Sequence, residues 1–207
     1  MAADSYIAFD EGTARKWDFW QRSISSNTVE QLRAVIAEPY LPPYGLVNTA
    51  AVLTTNANTH LMQMMGSTLN RSLIKRLRLY QAAAATTTTT VHLQLLRLTT
   101  PGTGGTSYTP NPFDPSDPAT TVVGMTLPSA NGAESVVLWQ GSAILHAAAD
   151  IANLESRCVL DVDWRDPQVK GPIIAAGTSN GLALKLLTAC AVSTVVTDIE
   201  FTEAFWV

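Results

Sequence analysis

Charge is scarce in this chain. Asp, Glu, Lys and Arg make up 14% of its 207 residues, against about 25% in average globular proteins. The shortage does not signal a membrane protein, because no run approaches the ~20 apolar residues that a membrane-crossing helix needs. The start, Met1-Ala2-Ala3-Asp4-Ser5, lacks the basic region and apolar stretch of a signal peptide. Disorder is opposed by an apolar content of 46% and a net charge of only −4. That slight acidity also argues against general nucleic-acid binding, which needs a basic face. Cysteine is nearly absent: Cys158 and Cys190 have no metal-ligand spacing, and both sit in apolar strand-like runs. They read as free, buried, inert thiols.

Catalytic motifs are missing as well. There is no Gly-x-Ser-x-Gly elbow, phosphate-cradling loop or His-Glu-x-x-His helix. Gly102-Thr103-Gly104-Gly105-Thr106 has neither a following helix nor a terminal Lys-Ser/Thr. His60, His92 and His146 stand singly on candidate strands and share no ligand spacing. Asp161 and Asp163 fall on one face of a strand, as a calcium site or a glycosidase pair would require. A strand running into the solvated turn Asp166-Pro167 is the simpler explanation of them, and in Asp114-Pro115 and Asp117-Pro118 each Asp precedes a proline, a common turn start. Trp139, Trp164 and Trp206 could stack on sugars, but Trp139 stands in an apolar run, which favours burial. The expectation is a non-enzyme with no cofactor and no metal.

The charge that is present is unevenly spread. Residues 39–113 hold no acid, only Arg71, Lys75, Arg76, Arg78 and Arg97; residues 114–166 hold eight acids against Arg157 and Arg165. Two explanations fit. Either basic strand and acidic segment pair within one chain, or complementary faces pair between identical subunits.

Residues 1–45 form an expected N-terminal arm that ends in Pro39-Tyr40-Leu41-Pro42-Pro43-Tyr44-Gly45. Within it Thr28 to Ala37 places Val29, Leu32, Val35 and Ile36 at helical spacing, which predicts a short helix stopped by Pro39. Trp17, Phe19, Trp20, Tyr40 and Tyr44 are the aromatic anchors expected to bury against the domain or a neighbour. From residue 46 to 207, strand signals recur between turn signals. Candidate strands are Leu46–Leu53, the alternating His60–Met65, Ser72–Gln81, Val91–Leu98, Thr120–Met125, Ser135–Ala147, Val159–Trp164, Pro172–Ala176, Leu182–Leu187 and Cys190–Phe201. Thr86–Thr90 is β-branched and leads into one of them, and Asn180-Gly181 reads as a tight turn. The Gly/Pro/Thr-rich segment Pro101–Ala119 reads as one long irregular loop, and loops of that length are generally functional or covered. The pattern predicts an all-β, jelly-roll-like β-sandwich.

Several of these segments resemble small virion proteins of tailed bacteriophages. They are Ile74-Lys75-Arg76-Leu77-Arg78-Leu79-Tyr80-Gln81, Leu96-Arg97-Leu98-Thr99-Thr100, Gly104-Gly105-Thr106, Thr109-Pro110-Asn111-Pro112, Asp114-Pro115-Ser116-Asp117-Pro118-Ala119, the run Pro172 to Lys185 and Ile199-Glu200-Phe201-Thr202-Glu203. The resemblance covers roughly residues 58–203 and its motifs are structural. It implies a virion component of the capsid decoration (cement) type, on the outer surface of the phage head. Such a protein binds the major capsid protein, assembles as a homotrimer, and touches neither nucleic acid nor membrane. Tail, neck or spike components, some of them glycan-binding, are similar too. Arg76 and Arg78 join the arm aromatics as interface candidates.

Overall fold

The computed structural model describes residues 18–24, 27–33, 41–48, 51–53, 57–150, 157–166 and 170–204. The chain divides into two compact units, 1–40 and 41–207. In the first, β1 (Asp18–Ile24) pairs antiparallel with β2 (Asn27–Arg33), from Ile24 opposite Asn27 to Asp18 opposite Arg33. This corrects the helix expected over Thr28–Ala37, whose first part is strand. A ten-residue helix is marginal on its own, whereas pairing with β1 satisfies backbone groups on both segments and suits the β-branched Thr28 and Val29. Trp17, Tyr40 and residues 34–40 lie outside the described residues; Phe19 and Trp20 are adjacent positions on β1.

The second unit is all β. Its strands are β3 (Pro43–Val47), β4 (Ala51–Leu53), β5 (Thr59–Met65), β6 (Arg71–Ala83), β7 (Thr89–Leu98), β8 (Thr106–Tyr108), β9 (Asn111–Pro112), β10 (Val123–Thr126), β11 (Glu134–Leu145), β12 (Arg157–Asp163), β13 (Ile173–Ile174), β14 (Gly181–Leu186) and β15 (Ser193–Ala204). They form two antiparallel sheets, β11-β7-β14-β5-β10-β8 and β12-β6-β15-β3-β9; β13 adds to β6 and β4 to β15. Four pairings nest inside one another. β3 pairs with β15, β5 with β14, β6 with β12 and β7 with β11. A single antiparallel ribbon, folded back at its middle, is thus wrapped into both sheets.

The core lies between the sheets. Leu93 and Leu95 of β7 and Leu182, Leu184 and Leu186 of β14 belong to the same buried cluster as Ile74, Leu77 and Leu79 of β6 and Val195, Ile199 and Phe201 of β15. Strict alternation along β6 would turn Lys75 inward with Leu77. Instead the pairing jumps from Arg76–Glu200 to Ile74–Phe201 and leaves Lys75 as the extra residue. That bulge lets Ile74 and Leu77 both face the core. The expected strand Leu46–Leu53 is two strands, both paired to β15; between them Asn48 bonds Thr197 through its own N–H and its side-chain oxygen.

Tyr44 is also reassigned. It is fully buried on β3, its ring stacked on Phe201 at 5.3 Å between centroids, and its hydroxyl donates to the Pro118 carbonyl at 2.9 Å. Residues 41–45, expected in the arm, therefore open the sandwich. Pro43 is tolerated because it stands first in its strand. The expected irregular loop 101–119 likewise contains β8 and β9.

Phe201→Ala should cost about 3–5 kcal/mol, as truncation of a closely packed aromatic does, and lower the thermal midpoint by roughly 10 °C. Leu69→Ala, at a position 82% exposed, should leave the midpoint unchanged within error. Calorimetry on the two variants checks both.

Candidate assembly surfaces

The outward face of the β12-β6-β15 sheet carries an interlocked charge ladder of three arginines and four carboxylates. Cross-strand register sets Arg78 between Asp161 and Asp198, and Arg76 between Asp163 and Glu200. Arg76 donates through two nitrogens to both oxygens of Asp161. Arg78 bonds Asp198 and, at 2.7 Å, Glu200, and its guanidinium lies 5.8 Å from the centre of the Tyr80 ring. Arg165 bonds Asp163 and reaches Glu200 at 3.9 Å. The bidentate hydrogen bonds from Arg76 hold the Asp161 carboxyl below its ordinary value, and those from Arg165 bring Asp163 to about 2.

Of the two explanations for the uneven charge, the first holds here. The basic strand and its acids meet within one chain, so Arg76 and Arg78 are not free interface cations. The Asp161–Asp163 pair is likewise engaged by arginines rather than poised as an acid and a base. Asp114 holds its own turn: Ser116 donates its backbone N–H at 2.9 Å and its hydroxyl at 2.7 Å to the carboxylate, which lowers that carboxyl.

The opposite situation holds along β11, the end strand of the six-stranded sheet. Residues 135–149 contain no Asp, Glu, Lys or Arg. Register shifts between Glu134 and Val137, and again between Val137 and Trp139, break strict alternation and leave Val136 and Val137 both about half exposed; Ile144 is 48% exposed. From Trp139 to Leu145 the pairing with β7 is regular. Natural edge strands are usually blunted by charge, proline or bulges. Among the described residues this one has bulges only at its first half, and its second half offers open backbone groups beside an apolar side chain. A second exposed pair adjoins the ladder on the other sheet. Val47 lies on β3, and the Phe113 ring covers Gly45, where any Cβ would stand 2.8 Å from it.

The remaining candidates are placed as follows. Trp139 and Trp164 are half-buried against the core, and Trp206 lies outside the described residues. His92 is exposed and His146 half-buried. Both cysteines are free; Cys190 is buried, but Cys158 is exposed, because it stands on the sheet-end strand β12 rather than inside the core. No group of three or more metal-ligating side chains occurs among the described residues.

A polar chain went unnoticed in the sequence. His60 and Gln63, both fully buried, link Gly102 to Glu134 and Lys185. Its signal was present in His60-Leu61-Met62-Gln63-Met64-Met65. Polar residues set in so apolar a strand must find buried partners.

Arg78→Met should destabilise the fold by about 2 kcal/mol, since hydrogen bonds to charged groups are worth about 1.5–3 kcal/mol and Asp198 and Glu200 would be left facing each other. Urea denaturation of Arg78→Met beside Arg165→Met, an exposed-pair control expected to leave the midpoint nearly unchanged, tests the difference. No family model matches the chain, no curated protein matches its sequence, and no solved structure matches it.

Proposed function

We propose that the chain is a non-enzymatic structural protein of a tailed-bacteriophage virion: a capsid decoration protein that sits on the outer surface of the head, binds the major capsid protein and self-associates as a homotrimer. The observation that carries this reading is the strand order. Four-strand faces β12-β6-β15-β3 and β11-β7-β14-β5, with β3 paired to β15 and each inner pair nested in the next, support a jelly-roll reading of the β-sandwich, and jelly rolls recur in viral capsid domains. A fold hosts many functions, so the surfaces matter as much. A shell protein needs walls that present no unpaired charge and an edge fit for a neighbour. The ladder on one sheet and the uncharged stretch of β11 beyond Glu134 on the other match those needs.

The N-terminal unit adds a second support. A two-stranded hairpin is at best marginally stable alone, and β1–β2 is such a hairpin in a compact unit of its own. In this reading it is completed by the capsid surface, with Trp17, Phe19, Trp20 and Tyr40 as anchors; Tyr44, spent on the core, is withdrawn from that set. The rival reading, a tail, neck or spike component with glycan-binding loops, draws less support, because Trp139 and Trp164 pack against the core rather than offering open ring faces.

The test compares the full chain with residues 41–207 in binding to undecorated phage heads. The shorter chain should keep its strand signature by circular dichroism and its cooperative unfolding while losing at least tenfold in head binding. Equal binding by both chains would remove the arm from the proposal. Failure of the full chain to bind any head, together with glycan binding abolished by Trp139→Ala or Trp164→Ala, would favour the rival.

A further inference from the structure

Two loop segments, residues 99–105 and 128–133, fold over the outer face of the six-stranded sheet. They are joined to each other by the reciprocal Thr103–Ala130 backbone bonds at 3.0 and 3.2 Å, and by Thr99 N–H to the Ala133 carbonyl at 2.9 Å. Beneath them is Gln63. It alternates with the core residues Met62 and Met64 and so points outward, yet it is fully buried. Gly102 is pressed against it: an added Cβ would stand 2.6 Å from the Ala130 oxygen and 2.7 Å from Gln63 Nε2. The second segment leaves the sheet at Leu127, whose φ of 43° costs a non-glycine residue about 1–2 kcal/mol. The lid is thus held down against strain.

What holds it is a chain of hydrogen bonds that can run only one way. The Gly102 N–H donates to Gln63 Oε1 at 2.8 Å. Gln63 Nε2 then donates to His60 Nδ1 at 2.7 Å, so the ring proton sits on Nε2, which donates to Glu134 Oε1 at 2.9 Å. Lys185 Nζ donates to Glu134 Oε2 at 2.9 Å. Both ends are fixed by chemistry, because a backbone N–H cannot accept and an ionised carboxylate cannot donate. The His60 backbone N–H also donates to Asn131 Oδ1 in the lid, and Asn131 Nδ2 donates to the Asn58 carbonyl.

We propose that this relay is an acid-released latch: neutral His60 locks the lid onto the sheet, and protonation of its ring unlocks it. A proton on Nδ1 would confront the Gln63 amide nitrogen, donor against donor. Turning the amide to present its oxygen to Nδ1 would set its NH₂ group against the Gly102 N–H. Either way one buried bond is lost, and an unmet buried donor costs about 1–3 kcal/mol. The ionisable groups facing the ring are Glu134 from β11 and Lys185 from β14; the two lid segments contain none. Burial pushes the His60 ring below its ordinary value, against the pull of Glu134 and with the help of Lys185. Burial alone would raise the Glu134 carboxyl, but the bonds from Lys185 and His60 outweigh it and hold it ionised.

The sign follows from linkage. The closed lid binds its proton less readily than the open one, where the ring titrates near 6.5. The latch is therefore fully set above that pH and weakens as pH falls below it, by up to about tenfold in the opening equilibrium per pH unit.

Amide hydrogen exchange, corrected for the intrinsic pH dependence, tests this on the full chain between pH 7.5 and 5.5. The amides of Gly102, Thr103, Ala130 and Ala133 should lose several-fold more protection than those of β6 and β15. Two variants sharpen it. His60→Gln keeps a donor and an acceptor without a titrating ring, and should make lid protection independent of pH. Gln63→Glu presents a carboxylate to both Gly102 N–H and Nδ1–H, and should raise the His60 ring above its wild-type value and keep the lid closed at pH 5.5. Lid protection that is flat with pH in the wild type, or that falls equally in His60→Gln, would overturn the proposal.

Discussion

The fold depends on the meeting of its first and last strands. Tyr44 on β3 and Phe201 on β15 are register partners whose buried rings stack. With them in place a chain of more than 150 residues is closed on itself, and every inner pairing is already nested within that closure. Such long-range pairing is entropically costly to assemble. The density of large side chains at this end of the core, with Ile74, Ile199 and Leu46 around the pair, offsets that cost. The same closure explains why Pro43 is the sandwich's first strand residue rather than the tail of an arm.

Once the ribbon is closed, the surfaces follow from register. The β12-β6-β15 order brings a basic strand between two acidic ones, so that three arginines and four carboxylates pair within one chain. Nesting β7 with β11 leaves β11 at the end of its sheet, and beyond Glu134 its composition supplies no charge. The connection between β7 and β11 adds β8 and β10 to the far end of the same sheet, and its two ends become the lid that His60 and Gln63 fasten.

The sequence made much of this legible, for reasons tied to particular elements. Strands such as β6, β7, β14 and β15 alternate over many residues, so their existence and approximate limits could be read directly. The bulge at Lys75 could not, because the identity of the inward residue is decided by β15 and not by β6 itself. The expected helix at Thr28 failed because pairing with β1 satisfies backbone groups along the segment, which a ten-residue helix, marginal on its own, cannot outweigh. Tyr44 was misjudged because prolines beside it signal an arm, while what fixes it is Phe201, far along the chain. The charge ladder was visible as an imbalance, but its resolution within one chain required the strand order. The buried relay was visible only as two polar letters in an apolar run, and its partners lie on loops whose path composition does not fix.

In the proposed reading, the closed β-sandwich ribbon, the interlocked charged wall, the apolar stretch of β11 and the separate hairpin belong to a part of a larger shell. The most direct measurement is electron cryo-microscopy of the virions formed in cells that make this chain. Density fitting the sandwich on the outside of the head, with the 1–40 unit in contact with the shell, is the expected result. Density for the sandwich at the tail or neck alone, or virions lacking the chain altogether, would contradict the decoration role.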